Sequence, residues 1–436
     1  MKPKRVCHIW LALIGLLAVT RAAVGQDPLP FRKAVELALG QSSQMALSHA
    51  NEMRAYQTYL EARDSYIPKV AVGSAIGYAY GFPLSLEGSA PTLFNVTTQS
   101  SVWSLAQRDF IRAAKADWSA SKSQGRDQRA QVIWDAALTY IDLNRWESRV
   151  PILLAELDVA KNSEYAVAER VKEGVDKAIE RTKAELVETQ VRLHMAEAEG
   201  AVDILRTHLS QLTGLPAGSI RTLRNSVPVA REDSVQNNVA SAVQSSPVVE
   251  AAEQSATAKQ QRAKGEHRAL YPSADFAAQY GLINTSLTNF EQFFVPHSFR
   301  SNNVTFGLVL RFPFLDRSQR AAAAAADAEA LGARKEVEET KNKVVLDALK
   351  LQHSVEQLIA AQHIADLRYK LAENELDAVR VRMEADTGTL REMQNAAIDA
   401  AERTLERIDA DFQLQRAQLE LLRTRGELES WALSSR

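Results

Sequence analysis

Cysteine is almost absent from this chain: of 436 residues one, Cys7, is a cysteine. It lies in an N-terminal stretch that reads as a secretory signal, so the mature chain is expected to have no disulfide and no thiol chemistry. Cys7 also comes too early, and outside any Leu-x-x-Cys context, for a lipoprotein anchor. A secreted chain of this size without disulfides fits a Gram-negative envelope better than a eukaryotic exterior, where stability often leans on them. An excess of one charge is lacking too. Lys and Arg number 52 against 54 Asp and Glu, a formal net charge of -2, which gives no support to nucleic-acid binding. Beyond the N-terminus no stretch approaches 18 apolar residues, so no transmembrane helix is expected in the mature chain. Catalytic spacings are missing as well. The histidines after the signal (49, 194, 208, 267, 297, 353 and 363) form no His-x-x-x-His pair, and neither a phosphate-binding glycine loop nor a nucleophile elbow is present. No catalytic residue, metal or cofactor is therefore expected. Neighbouring carboxylates such as Glu338 and Glu339 read as a solvated helix face.

The signal is assigned to residues 1–25. Lys2, Lys4 and Arg5 form its basic start, Val6 to Val19 its apolar stretch, and Ala23 and Gly25 the small residues before cleavage near Gln26.

Glycine and proline are scarce, 18 and 13 in all, and long stretches between them are rich in helix formers. From Arg317 to about Ala385 there is no proline and one glycine, Gly332. As a single helix this would measure roughly 100 Å. Leu351, Val355 and Leu358, then Ile364, Leu367 and Leu371, recur at the spacing of a narrow coiled-coil stripe. Such lengths do not belong to an ordinary compact domain.

What is present above all is a duplication. A shift of 204 places Val35 on Val239, Ala38 on Ala242, Ser42 on Ser246 and Pro68 on Pro272. A shift of 212 places Val167 on Val379, Arg170 on Arg382, Glu180 on Glu392, Ala184 on Ala396, Leu209 on Leu421 and Gly214 on Gly426. The chain reads as two repeats, 26–225 and 226–436, each a duplicated half-molecule rather than a small solenoid unit. Three helical stretches are expected per repeat, about 31–67, 110–172 and 175–213, then about 236–270, 317–385 and 388–433. Pro151 is expected to kink or break the second of these.

In each repeat a β-hairpin interrupts the helices, at about 69–107 and about 273–314. After Pro68, Val70, Val72, Ile76, Tyr78 and Tyr80 alternate with small residues, and a second strand is expected around Asn95–Leu105. After Pro272, Phe276, Ala278, Tyr280 and Leu282 alternate. Val304, Phe306, Leu308, Leu310 and Phe312 follow across a loop that also holds Phe290, Phe293, Phe294 and Phe299. Period two means strands, and 9–11 residues is the length of a tilted membrane-spanning one. Aromatics cluster at their ends: Tyr66, Tyr78, Tyr80, Trp103, Tyr271, Phe312 and Phe314, as in a membrane-interface girdle. An ordinary small sheet packed on helices remains the alternative on periodicity alone. Four strands cannot close a barrel, and open edges cannot face lipid; three chains would supply twelve strands.

The pattern resembles the TolC family of outer-membrane efflux channels. The likeness spans about Phe31 to Leu433. It rests on the doubled helix–hairpin–helix order, the x-Pro entries Ile67-Pro68 and Tyr271-Pro272, and the exit Leu310-Arg-Phe-Pro-Phe-Leu-Asp316 from strand to long helix. The first-repeat exit, Val102-Trp-Ser-Leu-Ala-Gln107, lacks the proline. The family's tip glycine with alanine ten residues later matches Gly174 and Ala184; in the second repeat Asp386 replaces the glycine before Ala396. The resemblance implies a mainly α protein with a small membrane β-barrel: a long coiled-coil α-barrel and a trimeric twelve-stranded β-barrel, four strands per protomer. It implies a homotrimer in outer-membrane lipid with a large periplasmic portion. Passive export in tripartite efflux or type I secretion would follow docking to a periplasmic adaptor and an inner-membrane pump.

A tube must close at rest, through side chains that pair across coils and separate when the coils splay. Arg170, Lys172, Glu173, Gly174, Asp176 and Glu180 occupy the first tip. Arg380, Arg382, Met383, Glu384, Asp386, Gly388, Glu392 and Asn395 occupy the second. The resemblance places the periplasmic aperture and the adaptor contacts here. Glu180 and Glu392 match the family's acid at the constriction, whereas Asn395 stands where it has a second acid and Met383 where it has an aromatic. Exposed helix-end charges forming weak pairs are the plainer reading of any one of these residues. The competing function is a periplasmic coiled-coil adaptor or scaffold that never inserts, which leaves the two hairpins with aromatic ends unexplained.

Overall fold

A computed structural model describes residues 28–78, 80–81, 91–228, 239–294, 300–385 and 387–434. The secretory signal and Asp386 lie outside them, as does Phe299. Among these residues thirteen helix and strand segments longer than a single turn follow in two rounds. The first is α1 Phe31–Gln41, α2 Ser43–Arg63, β1 Lys69–Ala75, β2 Thr92–Trp103, α3 Leu105–Lys172 and α4 Ala178–Thr213. The second is α5 Val239–Ser245, α6 Pro247–Arg268, β3 Ser273–Ile283, β4 Asn302–Arg311, α7 Arg317–Glu384 and α8 Leu390–Thr424, closed by α9 Leu428–Ala432.

The duplication extends to backbone detail. Helices α3 and α7 are both 68 residues long. The first helical stretch of each repeat is broken, at Ser42 and at Ser246, two serines 204 positions apart, each buried and each extended in backbone (ψ 125° and 115°). Gly214 and Gly426, 212 apart, leave their helices with φ of 72° and 73°, the left-handed region that glycine enters without a Cβ penalty.

Several sequence expectations are corrected. Pro151 neither ends nor divides α3. Its neighbours explain why: Leu153 is buried against Met195, Ala198 and Leu405, with Trp146, Val150 and Ile152 packed around them, and burial on both sides of the proline offsets one missing donor. The expected stretches 31–67 and 236–270 are each two helices, because Ser42 and Ser246 interrupt them. The last stretch stops at Thr424 and resumes at Leu428 after Gly426. Strand β1 ends at Ala75 rather than near residue 80, and β2 begins earlier and ends earlier than expected, since Leu105 already starts α3.

The described residues form two compact units, each drawing on both repeats: those within 1–45, 129–242 and 347–436, and those within 46–128 and 243–346. In the first unit Phe31, Val35, Ile133, Tyr140, Leu143, Leu209, Ile220 and Leu428 form the core. Phe31 meets Tyr140 and Trp431 edge-on, both at 5.4 Å between ring centroids. Tyr140 ties the inter-repeat joint to α3: its hydroxyl donates to Leu29 O (2.7 Å) and accepts from Leu223 N (2.8 Å). Burial pushes that phenol's pKa up. Arg145 lies over the rings of Trp146 and Phe412 (4.7 and 4.3 Å), and Asp409 bonds both Arg145 and Arg149.

The second unit joins four helical segments to the sheet. Its helix contacts are built on alanine, with Ala113, Ala116, Ala120, Ala256, Ala258, Ala263, Ala326 and Ala330 all buried, so backbones approach closely. Phe110 rests on Gly265, where an added Cβ would come within 2.6 Å of the ring. Asp109, fully buried, bridges Arg112 (3.1 Å) and Arg268 (2.8 Å). Among the described residues no helix is long and apolar enough to cross a membrane, and no group of metal-binding side chains is assembled.

Candidate functional site: a two-faced sheet and two helical tips

The four strands form one antiparallel sheet in the order β1-β2-β3-β4. The hairpins of the two repeats therefore join through β2 and β3, and β1 and β4 are its edges. Residues paired across strands share a face, so the register sorts the side chains. One face carries the rows Val72–Val96–Tyr280–Val304 and Val70–Thr98–Ala278–Phe306, then Phe276–Leu308 and Ala274–Leu310. The opposite face carries Gly73–Asn95–Gly281–Asn303, Ala71–Thr97–Gln279–Thr305 and Lys69–Gln99–Ala277–Gly307, with Asp275 and Arg311 beyond. The first face is apolar and aromatic, the second small and polar. On the edge strands the first face is open: Phe306 is 76% exposed, and Val70, Val72, Val304, Leu308 and Leu310 are similarly exposed. Apolar and polar positions alternate on strands of 7 to 12 residues, so that the two faces of the sheet suit different surroundings.

A β-bulge re-aims one aromatic. Between Ser101 and Trp103 the register slips, so that Trp103 rather than Val102 opposes Ala274, which places the indole on the apolar face. Phe312 and Phe314, stacked at 5.9 Å, and Tyr271 are exposed beside the same end of the sheet, whereas Tyr78 and Tyr80, past the last residue of β1, are exposed at the opposite, loop end. Tyr66 differs: half-buried, it donates its hydroxyl to Ser104 O (3.3 Å). At the loop end Gly81 N donates to Asn289 Oδ1 (2.9 Å) and Asn284 N to Pro91 O (2.9 Å), tying the two hairpin loops together. Phe290 is buried there, whereas Phe293 and Phe294 are partly exposed.

The tips repeat each other bond for bond. Arg170 O accepts from Val175 N (2.9 Å) and Asp176 N (3.3 Å); Arg382 O accepts from Thr387 N (2.9 Å) and Gly388 N (3.0 Å). Gly174 makes the first turn with φ 77°. Gly388 serves the second by its size, since an added Cβ would meet Met383 N at 3.0 Å. The following helices start differently. Thr389 caps α8 in a reciprocal box with Glu392, whereas Lys177 gives α4 no side-chain cap. The first tip is held by charge instead: Arg170 Nε donates to Asp176 Oδ2 at 2.6 Å. That bond holds the Asp176 carboxyl below the usual carboxylate range, with Arg391 of the second tip adding to it. Glu180 pairs with Lys183 (2.9 Å), Lys172 with Glu169 (3.6 Å) and Arg380 with Asp377 (3.0 Å). Glu173, Arg382 and Glu384 are exposed, and Met383 and Asn395 lie nearby on α7 and α8.

No family model and no curated protein matches the sequence. The structure matches solved ones. A membrane protein from Pseudomonas aeruginosa superposes with a TM-score of 0.74 at 17% identity, covering 91% of this chain and 93% of that one. The CmeC outer membrane channel of Campylobacter jejuni gives 0.73 at 14% identity, over 91% and 86%. The outer membrane protein VceC of Vibrio cholerae gives 0.72 at 15%, over 91% and 96%. The chain has the TolC-like fold.

In the TolC-like fold long helices accompany a small four-stranded part per protomer, and the elements expected from sequence take these places. The expected tip residues among those described do gather at two neighbouring turns, and the expected aromatics do flank the sheet. Sequence reading missed the polar face as a unit. Lys69, Asn95, Thr97, Gln99, Gln279, Thr305 and Arg311 come from four strands, and only the register brings them together. Their signal was the polar half of each alternation, visible strand by strand but not as a surface.

Proposed function

We propose that this chain is an outer-membrane channel, assembling as a homotrimer whose three sheets close edge to edge into a twelve-stranded barrel. The sheet carries this reading: two edges with no partner among the described residues, an apolar face exposed on both edge strands, and a polar face behind it. In a lone chain in water such a surface would aggregate. Closure of β4 on the neighbouring β1 satisfies both edges, puts the apolar face on lipid and lines the pore with the polar one. The helical part then stands in the periplasm. Docked to a periplasmic adaptor and an inner-membrane pump, the channel gives passive export in tripartite efflux or type I secretion. The two tips serve as aperture and adaptor contact, with Glu180 and Glu392 at the constriction.

The test begins with outer membranes extracted in mild detergent, protomer count by light scattering, and reconstitution of the same sample in planar bilayers. A trimer with discrete conductance steps is expected. A soluble, non-conducting species would reject the barrel and favour the periplasmic coiled-coil scaffold.

A further inference from the structure

The polar face of the sheet is unevenly charged. Asn95, Thr97, Gln99, Gln279, Asn303 and Thr305 are neutral, and among the described, paired positions its ionisable side chains are Lys69, Asp275 and Arg311. All three sit at the end next to the long helices. Lys69 opens β1 directly after Pro68, Asp275 is the third residue of β3, and Arg311 closes β4. Arg311 Nη2 lies 3.6 Å from Asp275 Oδ2, with the acid's side chain 15% exposed and the guanidinium 63%. The exposed Lys69 makes no ion pair among the described residues. Nearby acids on the adjoining segments are engaged elsewhere. Asp64 is held by Arg63 (2.6 Å), Asp109 is buried between Arg112 and Arg268, and Asp316 accepts from Gln319 N (2.8 Å) at the start of α7.

Lys69 starts one edge strand and Arg311 ends the other. These edges run in opposite directions, so both cations lie at the same end and on the same face. In the trimer proposed above, edge-to-edge closure would bring Arg311 to the same end of each seam as the partner subunit's Lys69. Each protomer adds two cations and one carboxylate, and the charges collect in a single ring where the barrel meets the helices. Low-dielectric walls around an aqueous lumen focus such a field.

We propose that this ring is a cationic selectivity girdle, which concentrates anionic solutes, those bearing carboxylate or phosphate groups and small inorganic anions, at the base of the barrel. The inference rests on the trimeric channel proposed above and goes beyond it in naming the charge class favoured at the base of the barrel.

The test is the reversal potential of the full-length trimer in planar bilayers under a KCl gradient, comparing the wild type with Lys69→Gln, Lys69→Glu and Lys69→Arg. The anion-to-cation permeability ratio is expected to fall with Lys69→Gln, to fall severalfold with Lys69→Glu, and to stay near the wild-type value with Lys69→Arg. The differences should be large near 0.1 M salt, where the screening length is about 10 Å, and should shrink near 1 M, where it is about 3 Å. Should Lys69→Glu fail to assemble, Lys69→Gln carries the same test with a smaller shift. Conducting trimers whose reversal potential ignores both changes would overturn the girdle while leaving the channel standing. A wild-type trimer with no conductance would instead overturn the channel.

Discussion

At the scale of single residues, the first tip depends on one charge pair. Arg170 holds Asp176 by a hydrogen bond that keeps its carboxyl below the usual range. A carboxyl depressed in the folded state stabilises it above the unfolded pKa, and that contribution is lost as pH falls through the folded value. The protection factors of the amides across residues 170–177 should therefore stay high at neutral pH and fall once the pH drops below the ordinary carboxylate range. With Arg170→Ala protection should already be reduced at neutral pH and should no longer respond to that titration. Glu156 behaves oppositely. It lines a groove of about 400 Å³ with Pro151, Ile152, Val159, Ala397 and Ile398. Burial, then the neighbouring charge of Glu402, pushes its carboxyl up. A raised carboxyl favours folding fully below the unfolded pKa, and the benefit is lost as pH rises through the folded one. Glu156→Gln is expected to raise Tm at pH 7 and to leave it nearly unchanged at pH 4; equal melting at both values would remove burial as the cause.

At the scale of elements, the two faces of the sheet make opposite demands. Phe306 and Thr305 are neighbours in β4 but belong to different faces. Phe306→Arg should cost about 2–4 kcal/mol at the bilayer midplane and strongly reduce the trimer recovered from outer membranes, whereas Thr305→Arg should insert normally. Equal recovery of the two would undo the facing assigned from the register. Helix α3 supplies a second case. Pro151 cannot donate to the carbonyl four residues before it, yet the helix passes through. Pro151→Ala should restore that bond and stabilise α3 by up to about 3 kcal/mol, read as slower exchange of the amides around residue 151. Propensity alone left a break at Pro151 open because it is local: the contacts of Leu153 on α4 and α8 lie far away in sequence. The break at Ser42 escaped notice for a similar reason, since a serine in a helix-forming stretch carries no strong stop signal until burial selects it; the break at Ser246 was legible, because Pro247 disfavours helical backbone at the residue before it.

At the scale of the whole molecule, the channel reading predicts how the tips act. If Glu180 and Glu392 bound the constriction, Glu180→Ala combined with Glu392→Ala should raise single-channel conductance and antibiotic leakage. Unchanged conductance and gating would sink that role and leave the two acids as the Lys183 partner and the Thr389 capping residue seen in the fold.

The sequence by itself determined the periodicities and their duplication. Runs of helix formers, period-two segments after Pro68 and Pro272, and offsets of 204 and 212 fix which elements exist and in what order, because helix and strand period are written in neighbouring residues. It also located both tips. The tertiary structure alone decided the register that joins β2 to β3, the polar face with its charges at one end, the bulge that turns Trp103, and the survival of α3 through Pro151. These features arise between segments distant in the chain, where pairing and burial rather than local preference set the outcome.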